Sequence, residues 1–193
     1  MPENSFDREL LSSNLLGART LDDLFEKEKV VTSAKMLYLL QYPIKDNLHY
    51  QHLKEIHYFL FCDIYTWAGK DRYEAGIKAK FGKGKTLFTP YEKLHETAQR
   101  LFDALQAESF FKGQSRIEFI RSAAIFMNGL NILHPFREGN GRVQRIFMQY
   151  VAENAGYELD FNDISEKEMI KASVKGAEGV LAPMIEIFQK SLK

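Results

Sequence analysis

"HPFREGNGRVQR", residues 134–145, stands between two strongly apolar stretches and carries a histidine, a glutamate, an asparagine, two glycines and three arginines. Upstream, "SRIEFIRSAAIFMNGLNIL" (115–133) is apolar around most of a helical circumference, the pattern of a central core helix. Pro135 disfavours helical geometry at His134, so that helix is predicted to stop there. Downstream, Val143, Ile146, Phe147, Tyr150 and Val151 fall at i, i+3, i+4, i+7 and i+8, which predicts a second buried helix ending near Gly156. The charged stretch is therefore a loop that opens onto a helix N-terminus.

A helix N-terminus presents unpaired N–H groups and a partial positive charge, and both suit an anion. In Gly139-Asn140-Gly141 the glycines permit positive φ and close backbone approach, so successive N–H groups can form an anion nest. Arg142 and Arg145, three residues apart in the first turn, can add charge-assisted forks to further phosphates. Glu138 is the obvious ligand for magnesium, which usually takes one or two protein carboxylates beside substrate phosphates and water. His134, with an ordinary pKa of about 6.5, can accept a proton from an attacking hydroxyl. Pro135 and Phe136 are read as loop anchors. The arrangement points to a polyphosphate.

The rest of the chain is consistent with one helical domain over residues 1–193, with a core of about 20–188 and a protruding hairpin of about 72–89. Twenty-six basic residues balance twenty-six acidic ones, so no global field favours nucleic acid or an anionic membrane, and phosphate binding must be local. The single cysteine, Cys62, excludes an intrachain disulfide and reads as a structural thiol. "MPENSFDREL" lacks the basic start and apolar block of a signal peptide, so a cytoplasmic protein is expected, with export through other signals left open. "TLDDLFEKEKVVTSAKMLYLLQ" from Thr20 predicts a helix with Leu24, Val31, Met36, Leu37 and Leu40 on its apolar side, and "HYQHLKEIHYFLFCDIYTWAG" a second ending near Gly69. Thr89-Pro90-Tyr91-Glu92, Ser115-Arg116-Ile117-Glu118 and Ser165-Glu166-Lys167-Glu168 read as capped helix starts. "KDRYEAGIKAKFGKGKTLF" predicts a short exposed β-hairpin.

At every defined position "HPFREGNGRVQR" matches the Fic signature, H-x-F-x-[D/E]-G-N-G-R-x-x-R, and the chain resembles the Fic family from about Thr20 to Phe188. The resemblance implies an all-α Fic fold, a helical bundle with a small β-hairpin flap. It also implies transfer of AMP from ATP to a Ser, Thr or Tyr hydroxyl of a target protein, with Mg²⁺ as cofactor and pyrophosphate released. His134 would be the general base and Glu138 the Mg²⁺ ligand. Gly139, Asn140 and Gly141 would line the phosphate nest, with Arg137, Arg142 and Arg145 on the nucleotide and Phe136 packing the loop. Lys83, Gly84, Lys85, Thr86 and Phe88 resemble the flap that docks a target segment by strand addition.

Family members are often restrained by a helix of pattern [S/T]-x-x-x-E-[G/N], whose glutamate pairs with the last signature arginine, here Arg145. Only Ser5 to Glu9 has the spacing, and Leu10 stands where glycine or asparagine is expected. Similarity to short Fic toxins therefore implies a separate small antitoxin. Such toxins modify type II topoisomerases, and secreted relatives modify GTPases. The alternatives are transfer of UMP, phosphocholine or phosphate on the same fold, or a nucleotide-binding regulatory module without turnover; the intact GNGR stretch favours AMP, and His134 favours turnover. "GKT" at 84–86 would need a glycine at Ala79 to be a P-loop, Gln99 replaces the second histidine of a zinc-protease pattern in "HETAQ", and His49, His52 and His57 lack a nearby acidic or cysteine cluster.

Overall fold

The structure is a computed structural model, and it describes residues 5–45, 47–78, 82–83 and 86–193. Eight helices are present among them: α1 (Ser5–Ser12), α2 (Leu21–Gln41), α3 (Tyr50–Phe61), α4 (Leu94–Ala107), α5 (Arg116–Leu133), α6 (Asn140–Asn154), α7 (Glu166–Ala177) and α8 (Ala182–Ser191). Strands β1 (Gly82–Lys83) and β2 (Thr86–Leu87) pair antiparallel, Gly82 opposite Leu87 and Lys83 opposite Thr86. The all-α class is as expected. None of the described helices is long and apolar enough to cross a membrane.

α5 and α6 lie at the centre, α5 against α4, α7 and α8, and α6 against α3 and α2. Phe119, Ala123, Ala124, Met127 and Leu130 of α5 are buried, as are Val143, Ile146, Phe147, Tyr150 and Val151 of α6. Both helices follow their sequence periodicity. The starts of α5 and α7 are complete capping boxes: the Ser115 and Ser165 hydroxyls accept from the N–H groups of Glu118 and Glu168, whose carboxylates accept from the serine N–H groups.

Elsewhere tertiary contacts override local signals. α2 begins at the expected Thr20 cap, but Leu37 and Leu40 are exposed, and its buried residues are Leu24, Glu28, Thr32 and Leu39. A carboxylate is buried there because it meets an arginine of the motif. α3 stops at Phe61, well short of Gly69. Residues 64–66 instead pair with the chain after α1, where Leu15 N–H donates to Ile64 O (2.8 Å) and Thr66 N–H to Ser13 O (3.1 Å), turning Tyr65 and Trp67 inward. Thr89 is not a helix cap. Its N–H and hydroxyl both donate to Ile132 O (2.9 and 3.2 Å), and a short 3₁₀ turn over Tyr91–Lys93 leads into α4. Among the described residues the paired strands cover 82–83 and 86–87, and Arg72 at the expected hairpin's start is wholly buried.

Loss of one cap tests the reading of the helix starts: Ser115→Ala is expected to cost about 1 kcal/mol. Thermal unfolding should then move down by about 2–4 °C with nucleotide binding retained.

Candidate active site

The motif loop is shaped from below by rings. Phe136 is buried and stacks on His57 at 3.9 Å and 12°. His57 also stacks on Phe61 at 4.8 Å, and Phe61 leaves no room above it: a Cβ on Gly139, which has φ +80°, would come within 2.2 Å of that ring. Only glycine satisfies both the left-handed backbone and the close approach. His57 Nδ1 accepts from Gly69 N–H (2.8 Å), so its proton sits on Nε2 and is donated to Glu138 O (3.2 Å). Asn140 turns its side chain back onto the loop: Oδ1 accepts from Phe136 N–H (2.9 Å) and Nδ2 donates to Phe136 O (2.8 Å). Its amide thus locks the turn, and its backbone N–H and that of Gly141 open the first turn of α6, where no intrahelical acceptor exists.

His134 caps α5 with its own backbone in the left-handed region, φ 43° and ψ 60°, donating its N–H to Leu130 O (3.0 Å). Its imidazole is half-buried and lies face to face with the Phe88 ring, centroids 3.6 Å apart and planes 5° apart. Phe88 is itself buried, so this flap residue covers the imidazole rather than offering its ring to a target segment. Of the other flap residues, Lys83 and Thr86 are the paired backbone positions of the hairpin, and Gly84 and Lys85 lie outside the described residues.

The three arginines divide. Arg142 is committed: Nη2 donates to the buried Glu28 carboxylate (2.5 Å) and Nη1 to Thr32 Oγ1 (3.2 Å), with Glu138 Oε1 3.6 Å away and the Phe61 ring 4.9 Å beneath. Glu28 accepts in addition from the Tyr65 hydroxyl. Arg137 lies 4.0 Å from Glu9 of α1. That places Glu9 on Arg137, not on Arg145 as the restraining pattern would require. Arg145 makes no ion pair or hydrogen bond among the described residues. Burial and then the neighbouring Arg142 cation lower its pKa from the ordinary guanidinium value, while Glu166 works the other way. A half-buried cation without a bonded carboxylate beside open N–H groups favours an anion.

Glu138 is half-buried, and its Oε1 accepts from Gly139 N–H (2.8 Å). Among the described residues no group of three or more His, Cys, Asp or Glu side chains converges. A single carboxylate at the mouth of an anion site fits magnesium, which takes its remaining ligands from phosphates and water.

Sequence reasoning missed Glu28, His57, Arg72 and the stacking role of Phe88. For Glu28 and Thr32 a signal existed, since with Leu24 they fall at i, i+4 and i+8 on one stripe of α2.

Three comparisons bear on the site. The sequence model of the Fic/DOC family matches residues 47–152. The chain is 32% identical over 179 residues to "Protein adenylyltransferase VbhT" of Bartonella schoenbuchensis, covering 93% of this chain and 36% of that relative, so it spans about a third of that protein's length. Its fold is similar to the ADP-bound N-terminal Fic domain of a VirB-translocated effector from Bartonella quintana (TM-score 0.88, 30% identity, 93% of this chain and 89% of that one). It is also similar to AMPPNP-bound BepC of Bartonella tribocorum (TM-score 0.89, 26% identity, 98% and 99%).

His57 makes the loop's foundation sensitive to acid. Burial pushes its pKa down to about 3; the Glu138 carbonyl opposes this, and Arg142 adds to it. At pH 7 the imidazole is neutral folded or unfolded. Below about 6.5 the unfolded chain takes up a proton that the folded one refuses, so stability falls by about 1.4 kcal/mol per pH unit. Urea unfolding between pH 7 and 4 is expected to show this slope, and His57→Gln, less stable at pH 7, should lose one proton's worth of it.

Proposed function

Because the chain belongs to the Fic/DOC family, we propose that it is a protein adenylyltransferase that moves AMP from ATP to a side-chain hydroxyl of a target protein. The observation that carries this reading is one juxtaposition: His134 at the C-terminus of α5, the open first turn of α6, and the half-buried Arg145, which makes no hydrogen bond or ion pair among the described residues. Relatives named as adenylyltransferases and neighbours solved with ADP and AMPPNP support it.

In this reading the N–H groups of Asn140 and Gly141 and the Arg145 guanidinium hold the triphosphate. His134 accepts the proton of the target hydroxyl as its oxygen bonds to the α-phosphorus, and the bond from that phosphorus to the pyrophosphate oxygen breaks. Orientation and charge stabilisation supply most of the acceleration, because the nucleophile must approach opposite the departing pyrophosphate. Magnesium held through Glu138 would neutralise charge on the phosphates. Arg142, neutralised by Glu28, orients Glu138 and ties α6 to α2; outer-phosphate binding falls to Arg145. Arg137, beside Glu9, links the loop to α1.

Restraint comes from outside the chain, through a small antitoxin that supplies a carboxylate to Arg145. The position of Glu9 beside Arg137 supports this division. The acceptor protein is a type II topoisomerase or a GTPase, on the resemblance to Fic toxins and secreted relatives. Its site of action is the cytoplasm, of the producing cell or, in line with neighbours named as translocated effectors, of a recipient.

Incubation with ATP and a lysate, followed by mass spectrometry of the labelled protein, is expected to show a gain of about 329 Da for AMP rather than about 80 Da for phosphate. His134→Ala should abolish the label while the melting curve stays cooperative. A gain of 80 Da, or undiminished labelling by the variant, overturns the assignment. Arg145→Ala is expected to raise the KM for ATP by about tenfold or more, consistent with loss of one charge-assisted phosphate bond.

A further inference from the structure

The left-handed backbone at His134 is an anomaly with an identifiable cause. Residues preceding proline favour extended geometry, and a non-glycine residue at positive φ is uncommon; such strain persists where the surroundings over-determine it. Here the surroundings are Arg72. This side chain is wholly buried, with Nε donating to His134 O (2.8 Å) and Nη2 donating to both Leu133 O (3.2 Å) and Thr89 O (2.8 Å). Its backbone N–H donates to Pro135 O (2.7 Å). One residue therefore engages three consecutive carbonyls, 133 to 135, across the end of α5.

The bond to Thr89 reaches a second element. Thr89 follows Phe88, and its N–H and hydroxyl both donate to Ile132 O. With Arg72 on its carbonyl, Thr89 is fixed on both sides, and this fixes the residue whose ring lies 3.6 Å from the imidazole. The cation also lies at the negative end of the α5 dipole, where it is favoured. Its neighbour Asp71, equally buried, is held in turn by the Tyr50 hydroxyl and His95 Nε2, each at 2.9 Å.

Resting on the assignment of His134 as the base, we propose that Arg72 is a positioning residue for the transfer reaction: by donating to the carbonyls of Leu133, His134 and Thr89 it sets both the left-handed turn that carries the imidazole and the Phe88 ring stacked on it. Arg72 acts through His134 and the base of the flap. Its loss should therefore lower the rate of transfer without weakening nucleotide binding. Lysine retains the charge but lacks the planar fork that serves several carbonyls at once.

The test uses the full chain with Arg72→Lys. ATP affinity is measured by calorimetry, and AMP incorporation with ATP labelled at the α-phosphate. The His134 ring resonance is followed by NMR on histidine-labelled protein, assigned by its loss in His134→Ala. ATP affinity is expected to stay within about threefold while kcat falls about a hundredfold, the scale of a misplacement of roughly 1 Å at a reacting group. The His134 Cε1–H resonance should lose the upfield displacement imposed by Phe88. A kcat within about threefold of wild type, or an unmoved His134 resonance, overturns the proposal. Should Arg72→Lys not fold, Phe88→Leu decides: a kcat lowered by about tenfold or more at unchanged ATP affinity supports it, and an unchanged kcat overturns it. If the wild-type chain transfers no AMP, the assigned activity fails, and the imidazole resonance alone decides whether Arg72 positions His134.

Discussion

The loop between α5 and α6 can hold its shape only because aromatic rings fill the space beneath it and nothing larger than hydrogen occupies the position above. Phe61 stands where a Cβ on Gly139 would be, and His57 lies flat against Phe136 while donating to the carbonyl of Glu138. These contacts set the backbone from which Asn140 and Gly141 offer their N–H groups. They also explain why so polar a segment sits on so apolar a base. The rings fix geometry, and the polar atoms are left to face a ligand. A neutral His57 is part of that foundation, since a charge would have to be buried among Phe61, Trp67 and Phe136.

Electrostatics then sorts residues that look equivalent in sequence. Arg142 and Arg145 are one helical turn apart, yet one has a buried carboxylate bonded to it and the other has none among the described residues. Glu28 is nearly inaccessible, and its oxygens are taken by Arg142 and the Tyr65 hydroxyl. Removing Arg142 would leave the buried Glu28 charge uncompensated, an effect of about 3–5 kcal/mol. Arg142 thereby becomes a tie between α2 and α6. The unmatched positive charge at the mouth of the site is concentrated on Arg145.

What was legible in the sequence was local. The starts of α5 and α7 were visible because a capping box spans four residues, the end of α5 because a proline follows it, and the buried face of α6 because its period repeats within one helix. The charged loop between α5 and α6 was visible because its residues are consecutive. What was not legible depended on partners distant along the chain. Glu28 sits in "FEKEK" as one charge among several, and its partner is 114 positions away. Arg72 lies in the polar run "KDR", and the carbonyls it serves at the end of α5 are more than 60 residues on. α3 ended early because residues 64–66 found backbone partners after α1, a competition no local propensity describes. Thr89 had the spacing of a cap and was used instead to fasten the chain to Ile132.

Arg72 and His57 complete the same structure from opposite sides. His57 holds the acidic half of the loop at Glu138, and Arg72 holds the histidine half at residues 133–135, so the loop is gripped at both ends by buried side chains from the segment 57–72. That segment is continuous with the hairpin through Ile77, whose N–H donates to Arg72 O (2.8 Å). A displacement at the hairpin base would reach Thr89, the Phe88 ring and the His134 carbonyl through one guanidinium. The element that would meet a target and the group that would take its proton are therefore not independent parts. They share a single buried donor.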